Sequence, residues 1–293
     1  MELGRRFRAW AARLGLRQRR FIGDPVSTLA DPNPRRRWEM AAALATAPLD
    51  RDEMITLVGA LADREPFVRW QAGQSLAAQG SRASLESLLQ ALRTPPVLRQ
   101  AAAAEALGML GDRRAVPALL EAARSQHVGL RASAVEALGR IGTVEAVPLF
   151  LQMLRDEAAG VRRMAAWALG KLGDPSAADA LVVRLNDEQE HVLVRRSAAW
   201  ALGRMTLKAA AIAGLAKALH DADPQVRWYA AEALGRGRDA ALDETVSQAL
   251  QTLLDDDGQA LQGPVSQAAQ WALRRLRRRR MWRRLARRRA AGT

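Results

Sequence analysis

Apolar positions recur along most of the chain with the spacing of helices. Within residues 161–169 they stand at Val161, Ala165, Ala166, Ala168 and Leu169. This spacing lines one face of an α-helix, and no segment shows the period of two that indicates a half-buried strand. The pattern predicts an all-α protein without a sheet.

One string of small and apolar residues recurs along the chain. Clear copies occupy Leu130–Gly139, Val161–Gly170, Val194–Gly203 and Val226–Gly235, and weaker copies end at residues 45, 77, 108 and 274. Successive copies end 31 to 39 residues apart. A period of this size indicates a tandem array of helical hairpins. We expect each repeat to contain two helices, of which the string forms the second.

Turn signals separate the predicted helices. The glycine near the end of each string, such as Gly170, is expected to stop the second helix. Asp112 and Asp174 lie in the turns that follow, where a carboxylate can cap the next helix. Pro117 and Pro148 fall in the first turn of a first helix, where a missing N–H costs little.

The repeats resemble HEAT-like repeats of the short kind named after phycobilisome lyases. The resemblance is carried by the string VRxxAAxALGxxGD and the AVPxLL string that follows it, most complete in 130–181. It covers about residues 31–273 and implies an all-α α-solenoid, a right-handed superhelix of about eight two-helix repeats. It implies little about function, because solenoids of this kind serve many tasks.

The net charge of +14 is concentrated at the two ends of the chain. Residues 1–20 carry seven arginines and a net charge of +6, and residues 274–293 carry eleven arginines and no acid. We therefore expect a basic amphipathic N-terminal helix or cap in 1–30, the solenoid in 31–273 and an arginine-rich extension in 274–293. The positive charge is expected to act at the ends.

Aromatic residues accompany the arginines of both ends. Phe7 and Trp10 share one face of a predicted helix, which suits an anionic membrane surface or a cap on the first repeat. The C-terminal arginines suit a solvated tail, lipid headgroups or the phosphates of nucleic acid. The residues predicted to contact a membrane or another polyanion are Arg5, Arg6, Phe7, Trp10, Arg13, Arg277, Arg278, Arg279, Arg280, Trp282, Arg283 and Arg284.

An acid precedes the arginine of several second helices by six positions, as Asp31 precedes Arg37. Such arginines could bind phosphate. Charge-assisted bonds also stabilise stacked repeats, and the resemblance to HEAT-like proteins favours a structural ladder. In that ladder each acid caps a helix and bonds an arginine of its own or the next repeat. The predicted ladder residues are Asp63, Arg69, Asp156, Arg162, Asp221 and Arg227.

Positions one, five and nine after that arginine share one face of the second helix. Five of the eight tryptophans fall on them, with Glu105, Glu136 and Glu232 interspersed. Tryptophan and arginine are common anchors of recognition surfaces, although the rings could instead pack between repeats. The residues predicted to form a concave partner-binding surface are Trp38, Trp70, Arg140, Arg163, Trp167, Lys171, Arg196, Trp200, Arg204, Trp228 and Arg236.

No motif in the sequence predicts catalysis, a metal site or a cofactor. The chain has no cysteine. HEAT-like metal-dependent hydroxylases use His-Glu pairs, but none of His127, His191 and His220 is followed by glutamate. Apolar runs are also shorter than the 18 or so residues of a membrane helix.

The preferred interpretation is a non-enzymatic scaffold or assembly factor that binds one or more protein partners. We expect it in the cytoplasm or on the inner face of the membrane, held there by its basic ends. Two alternatives remain open. One is a bilin-lyase-like or other ligand-handling HEAT protein. The other is a non-specific nucleic-acid binder whose affinity falls steeply with salt.

Overall fold

The computed structural model describes residues 24–46, 48–237 and 243–291. Residue contacts divide the chain into an N-terminal unit, Met1–Ile141, and a C-terminal unit, Gly142–Thr293. Most of the predicted N-terminal helix or cap lies outside the described residues. The same is true of the predicted contact residues Arg5, Arg6, Phe7, Trp10 and Arg13.

The N-terminal unit is built from stacked helical hairpins. Its second helices pack side by side in chain order, and so do its first helices. The 3-10 turns Ala60–Ala62 and Arg113–Ala115 lie in this unit. In order, the hairpins are α1 (Pro25–Leu29) with α2 (Pro34–Ala43), α3 (Arg51–Gly59) with α4 (Pro66–Gln79), α5 (Arg82–Arg93) with α6 (Val97–Leu110), and α7 (Val116–Ala122) with α8 (Val128–Ile141).

The C-terminal unit repeats this arrangement, and its second helices also pack in chain order. It contains the 3-10 turns Val144–Ala146 and Pro175–Ala177. Its hairpins are α9 (Val147–Met153) with α10 (Ala159–Leu172), α11 (Ala178–Leu185) with α12 (Val192–Leu202), α13 (Ala209–Ala218) with α14 (Pro224–Arg236), and α15 (Asp243–Gln251) with α16 (Val265–Ala291). The predicted all-α array of about eight two-helix repeats is confirmed.

The expectation that the chain lacks any sheet is wrong in one small place. Strands β1 (Gln259–Ala260) and β2 (Gly263–Pro264) form an antiparallel hairpin just before α16. The Gln225 side chain accepts a hydrogen bond from the Leu261 N–H at 2.8 Å, which joins the hairpin to α14. Pairs this short have no recognisable period in the sequence, so a pattern search cannot find them.

Most of the repeated glycines lie inside second helices and pack them together, contrary to the prediction that they stop them, whereas Gly203 is the C-cap of α12 as predicted. Gly108, Gly170 and Gly235 lie inside second helices. A Cβ at Gly170 would lie 2.7 Å from the Cα of Ala201 on the next second helix. Those glycines therefore permit close approach of the backbones. The caps with positive φ come three residues later, at Gly111 and Gly173.

The predicted turn residues lie at element starts. The Asp112 and Asp174 side chains accept the N–H groups of Arg114 and Ser176, so they cap the 3-10 turns before α7 and α11. Pro117 and Pro148 stand in the first turns of α7 and α9. At such positions proline removes no hydrogen bond of the helix.

The arginine-rich residues 274–291 continue α16 without a break. None of the helices in the described ranges is long and apolar enough to cross a membrane. Within residues 24–46, 48–237 and 243–291, no group of His, Cys, Asp or Glu side chains could hold a metal ion.

Candidate functional site

Second helices begin with a recurring arrangement around the N-cap residue. In α4 the N-cap is Glu65, and the Asp63 side chain, two residues earlier, accepts its N–H at 2.8 Å. Arg69, four residues after the N-cap, donates Nη1 to the backbone carbonyls of Asp63 and Arg64 at 2.7 and 3.1 Å. The arginine therefore closes the loop that precedes its own helix.

Four arginines at this position also reach the loop of the following repeat. Arg162 places Nε and Nη2 on the Glu190 carboxylate at 2.9 and 2.6 Å. These bidentate ion pairs, which we call the Arg–acid ladder, connect neighbouring repeats. Its described members are the pairs Arg37–Asp63, Arg162–Glu190, Arg195–Asp221 and Arg227–Asp256.

The side-chain partners differ from those that spacing within one repeat suggests. The Asp63 carboxylate binds Arg37 of the preceding repeat, while Arg69 binds only the backbone oxygen of Asp63. Arg162 likewise binds the carbonyl of Asp156 and the carboxylate of Glu190. In the same way Arg227 donates to the carbonyl of Asp221. Sequence reasoning missed Glu190 and Asp256, because each acid belongs to the repeat after its arginine and the distance between them along the chain varies with loop length. It also missed Arg195, because the preceding acid, Glu190, lies five positions before it and not six.

The ladder changes the acidity of its carboxyl groups. The Arg227 guanidinium lowers the pKa of Asp256 below its ordinary value, and the Gly258 N–H adds to this effect. At Asp63 burial by itself raises the pKa, but the hydrogen bonds from Arg37 and the Glu65 N–H outweigh it, and the pKa is lowered. Both acids are therefore held in their charged forms.

In the C-terminal unit, the predicted partner surface carries a row of exposed cations, most of which lie over tryptophan rings. We call it the second-helix face, and it comprises positions one, five and nine after the ladder position of α10, α12, α14 and α16. The position-nine side chains are exposed cations, one per repeat: Lys171, Arg204, Arg236 and Arg275. Three of them lie over a ring, with centroid distances of 6.0 Å for Lys171 on Trp167, 5.1 Å for Arg204 on Trp200 and 5.4 Å for Arg275 on Trp271.

The position-five rings also pack between repeats. A Cβ at Gly170 would lie 2.7 Å from the Trp200 ring, and a Cβ at Gly235 would lie 2.7 Å from the Trp271 ring. These two rings therefore pack against the glycine of the preceding second helix. Trp167, Trp200 and Trp228 are only half-exposed. The rings therefore support the cations and contribute to the packing of the helices at the same time.

Several predicted contact residues of this face are engaged within the protein. Arg196 holds Asp223, the N-cap of α14, at 2.9 and 2.6 Å. Arg204 donates Nε to the carbonyl of Gly170 at 3.0 Å. Arg236 pairs with Glu232 at 2.9 Å on the exposed side of α14. Arg163 makes no ion pair within the described ranges. Arg196 is therefore part of the packing between repeats and not of a free binding surface.

The corresponding face of the N-terminal unit is less basic. Trp38 is half-buried, and Trp70 is 49% exposed. Arg140 pairs with Glu136 at 2.6 Å. Burial raises the pKa of Glu105, whose carboxylate accepts the Ser133 hydroxyl at 3.0 Å.

Near the C-terminal end of α16, one arginine contacts the neighbouring helix and other side chains are exposed. Arg279 donates to the carbonyls of Gly235, Arg236 and Gly237, and so caps the end of α14, contrary to its predicted role as a polyanion contact. Arg277, Arg278, Met281 and Trp282 are exposed. Arg280, Arg283 and Arg284 belong to the helix, but their side chains lie outside the description.

Sequence reasoning missed four residues that belong to these surfaces. Trp271 and Arg275 continue the cation row on α16, but the longer step to the last repeat hides their register. Phe67 and Leu98, which are exposed on α4 and α6, precede the positions that defined the predicted face.

The fold is similar to that of solved solenoid structures. Kap95p, solved with RanGDP, is 14% identical, with a TM-score of 0.62 over 86% of this chain and 40% of that chain. YibA of E. coli is 18% identical, with a TM-score of 0.57 over 85% of this chain and 98% of that chain. At these identities the likeness shows the fold alone.

A chain from the complex of CpcE and CpcF, the phycocyanin lyase of Nostoc sp. PCC7120, is 23% identical over 86% of this chain and 93% of that chain. Its TM-score of 0.44 is too low to support a functional argument. No curated protein matches the chain by sequence.

A family model for HEAT repeats matches four overlapping segments, residues 25–107, 88–159, 116–203 and 189–274. These segments together cover every described helix except the end of α16. The chain belongs to the HEAT-repeat family.

Proposed function

We propose that the chain is a non-enzymatic scaffold or assembly factor that holds an acidic protein partner on the second-helix face of its C-terminal unit. The observation that carries this proposal is the row Lys171, Arg204, Arg236 and Arg275, one exposed cation on each of four consecutive repeats. Only Glu232 among the face positions of these repeats is acidic. A basic row of this kind complements an acidic protein surface and speeds its association.

The stacking of cations on the rings favours a protein over single-stranded nucleic acid. Base binding requires open aromatic faces on which successive bases stack. Lys171 and Arg204 each cover a face of their tryptophan rings, and Trp200 is also seated against Gly170. These contacts reduce the ring faces on which bases could stack.

Affinity capture with two matched variants tests the proposal. Lys171→Glu with Arg236→Glu reverses two charges on the second-helix face. Lys208→Glu with Lys217→Glu reverses two exposed charges at α13, a first helix of the same unit. The face variant should lose the proteins that the unaltered chain retains from its own cells, and the control should keep them. Equal retention by both variants would overturn the proposal.

A second function, attachment to an anionic membrane surface, is favoured by the exposed end of α16. Met281 and Trp282 are 53% and 63% exposed beside a cluster of arginines. Apolar and aromatic side chains among arginines suit the headgroup region, where each basic residue contributes about 1 kcal/mol. The site of attachment proposed here is the inner face of the cytoplasmic membrane.

Flotation with vesicles tests this second function. The full chain should float with vesicles that contain phosphatidylglycerol and stay behind with pure phosphatidylcholine. Met281→Ser with Trp282→Ser should reduce flotation, while Val144→Ser with Val183→Ser, which removes exposed apolar groups elsewhere in the unit, should not. Retention on duplex DNA without flotation would assign the arginines to nucleic acid instead.

A further inference from the structure

The Arg–acid ladder is interrupted in the N-terminal unit at Arg69. Arg69 occupies the position that the ladder arginines hold in other repeats, and its Nη1 makes the usual contacts to its own loop. Its Nε and Nη2 form no hydrogen bond with any residue that the structure describes. In the four pairs of the ladder this edge of the guanidinium binds a carboxylate.

The interruption has a local cause in the next loop. Thr94 stands two residues before Pro96, the N-cap of α6, which is the place that Asp63 holds before Glu65. Threonine supplies no carboxylate, and the Thr94 hydroxyl donates to the carbonyl of Gln90 at 2.8 Å. The loop therefore supplies no carboxylate to Nε and Nη2 of Arg69, and the Glu105 carboxylate of α6 interacts with this guanidinium electrostatically without a hydrogen bond.

A second guanidinium lies against the same loop. Arg99 is the third residue of α6, where the equivalent Val68, Val161, Val194 and Val226 are fully buried. Its Nη1 donates to the carbonyl of Pro95 at 2.9 Å, while its buried Nε has no partner among the described residues. A buried donor without an acceptor is unfavourable, so an acceptor that a partner brings to this loop would be bound.

Exposed apolar side chains accompany these arginines. Phe67 and Trp70 on α4 are 45% and 49% exposed, and Leu98 on α6 is 48% exposed. Phe67 and Leu98 stand in the first turns of neighbouring second helices, and Trp70 follows Phe67 by three positions, next to Arg69 in the chain. Clustered apolar groups and arginines on an exposed surface mark sites of protein interaction.

We propose that Phe67, Arg69, Trp70, Leu98 and Arg99, the Arg69 surface, bind a protein segment that presents a carboxylate beside apolar side chains. The carboxylate takes the place of the missing ladder acid on Nε and Nη2 of Arg69. The partner's apolar side chains cover Phe67, Trp70 and Leu98. The occupant follows from charge complementarity, because the four complete ladder contacts all join an equivalent guanidinium to a carboxylate. This site lies in the N-terminal unit alone and does not depend on the second-helix face of the C-terminal unit.

Peptide display on the full chain provides the test. Random peptides are selected on the immobilised protein, and the best is synthesised with its acid intact or changed to the corresponding amide. Fluorescence anisotropy then measures the affinity of both peptides. Loss of a charge-assisted bidentate contact corresponds to about tenfold or more in affinity. We expect the enriched peptides to pair an acid with apolar residues, and the amide version to bind at least about tenfold more weakly.

Two variant pairs place the peptide on the Arg69 surface. Arg69→Gln should weaken binding by about tenfold or more, and Arg82→Gln, an equal change at an exposed arginine of α5, should leave it unchanged. Thr94→Asp supplies the missing acid from the chain itself and should exclude the peptide, whereas Thr94→Asn should not. Circular dichroism and melting confirm that each variant is folded.

The proposal is overturned if no peptide is enriched, if the enriched peptides need no acid, or if binding survives both Arg69→Gln and Thr94→Asp in folded protein. The variant Lys171→Glu with Arg236→Glu should bind the peptide normally. A failure of the Arg69 surface is therefore distinguishable from a failure of the second-helix face.

Discussion

Arg37 forms a bidentate ion pair with Asp63 across the boundary between two repeats, with Nε–Oδ2 and Nη2–Oδ1 distances of 2.7 and 2.9 Å. The two side chains are only 6% and 10% exposed. The third nitrogen of the guanidinium closes the loop of its own repeat through the carbonyls of Asp31 and Pro32. A single side chain thus organises two consecutive loops, and the contact recurs at Arg162, Arg195 and Arg227.

Removal of this contact should destabilise the protein more than removal of its incomplete counterpart. Arg37→Gln leaves Asp63 buried without its partner, and we expect a loss of about 3 kcal/mol in the free energy of unfolding. Arg69→Gln breaks no ion pair but removes the hydrogen bonds from Nη1 to its own loop, and it should cost less, about 1–2 kcal/mol. Urea unfolding followed by circular dichroism measures both. Equal losses would contradict the structural role assigned to the ladder.

The packing role of the repeated glycine predicts opposite effects at two glycines of α10. Gly170→Ala forces a Cβ against the backbone of Ala201 and should destabilise by about 1–3 kcal/mol. A Cβ added at Gly160 would meet nothing within 4 Å, so Gly160→Ala should be neutral or stabilise by a few tenths of a kcal/mol or more. The melting temperatures of the two variants, each compared with that of the unaltered protein, measure these effects. A stable Gly170→Ala protein would show that these backbones are not in close contact.

The missing ladder acid can be supplied by substitution. Thr94→Asp places a carboxylate where Asp63 stands in the preceding loop, and it should bind Arg69. We expect the protein to gain about 1 kcal/mol relative to Thr94→Asn, because a partly exposed ion pair contributes little more. Parallel thermal melts at low salt measure the difference. Identical melting temperatures would indicate that Arg69 does not face this loop.

Acid should weaken the ladder in a defined direction. The folded pKa values of Asp63 and Asp256 lie below those of the unfolded chain, near 4. Their stabilising contribution is therefore complete above that value and is lost as the pH falls through the lowered pKa values. Urea midpoints should drop between about pH 5 and pH 2, and Asp256→Asn should lose part of this dependence. An unchanged profile in Asp256→Asn would contradict the assignment.

The sequence pattern sufficed for the hairpins because each repeat has its own helical period and its own turn. It failed where a residue's role depends on the neighbouring repeat. Gly170 looks like a helix stop in its own string, but its function is set by the distance to Ala201. The partner of Arg162 is Glu190, 28 residues away, and only the stacking register identifies it.

The candidate surfaces show the same limit. A helical face could be predicted for Lys171 and Arg204, because both follow from spacing within one helix. Whether a cation is available to a partner depends on the next repeat, as Arg196 shows by holding Asp223. The exposure of Phe67 and Leu98 likewise depends on how their helices stack.

The central claim, that the second-helix face of the C-terminal unit binds a protein partner, is tested most directly by photo-crosslinking in the native cell. A photo-reactive phenylalanine replaces Arg236 on this face in one protein and exposed Val183 on α11 in another. We expect crosslinked partner protein from position 236 and none from position 183. Crosslinks from position 183 alone, or equally from both positions, would contradict the claim.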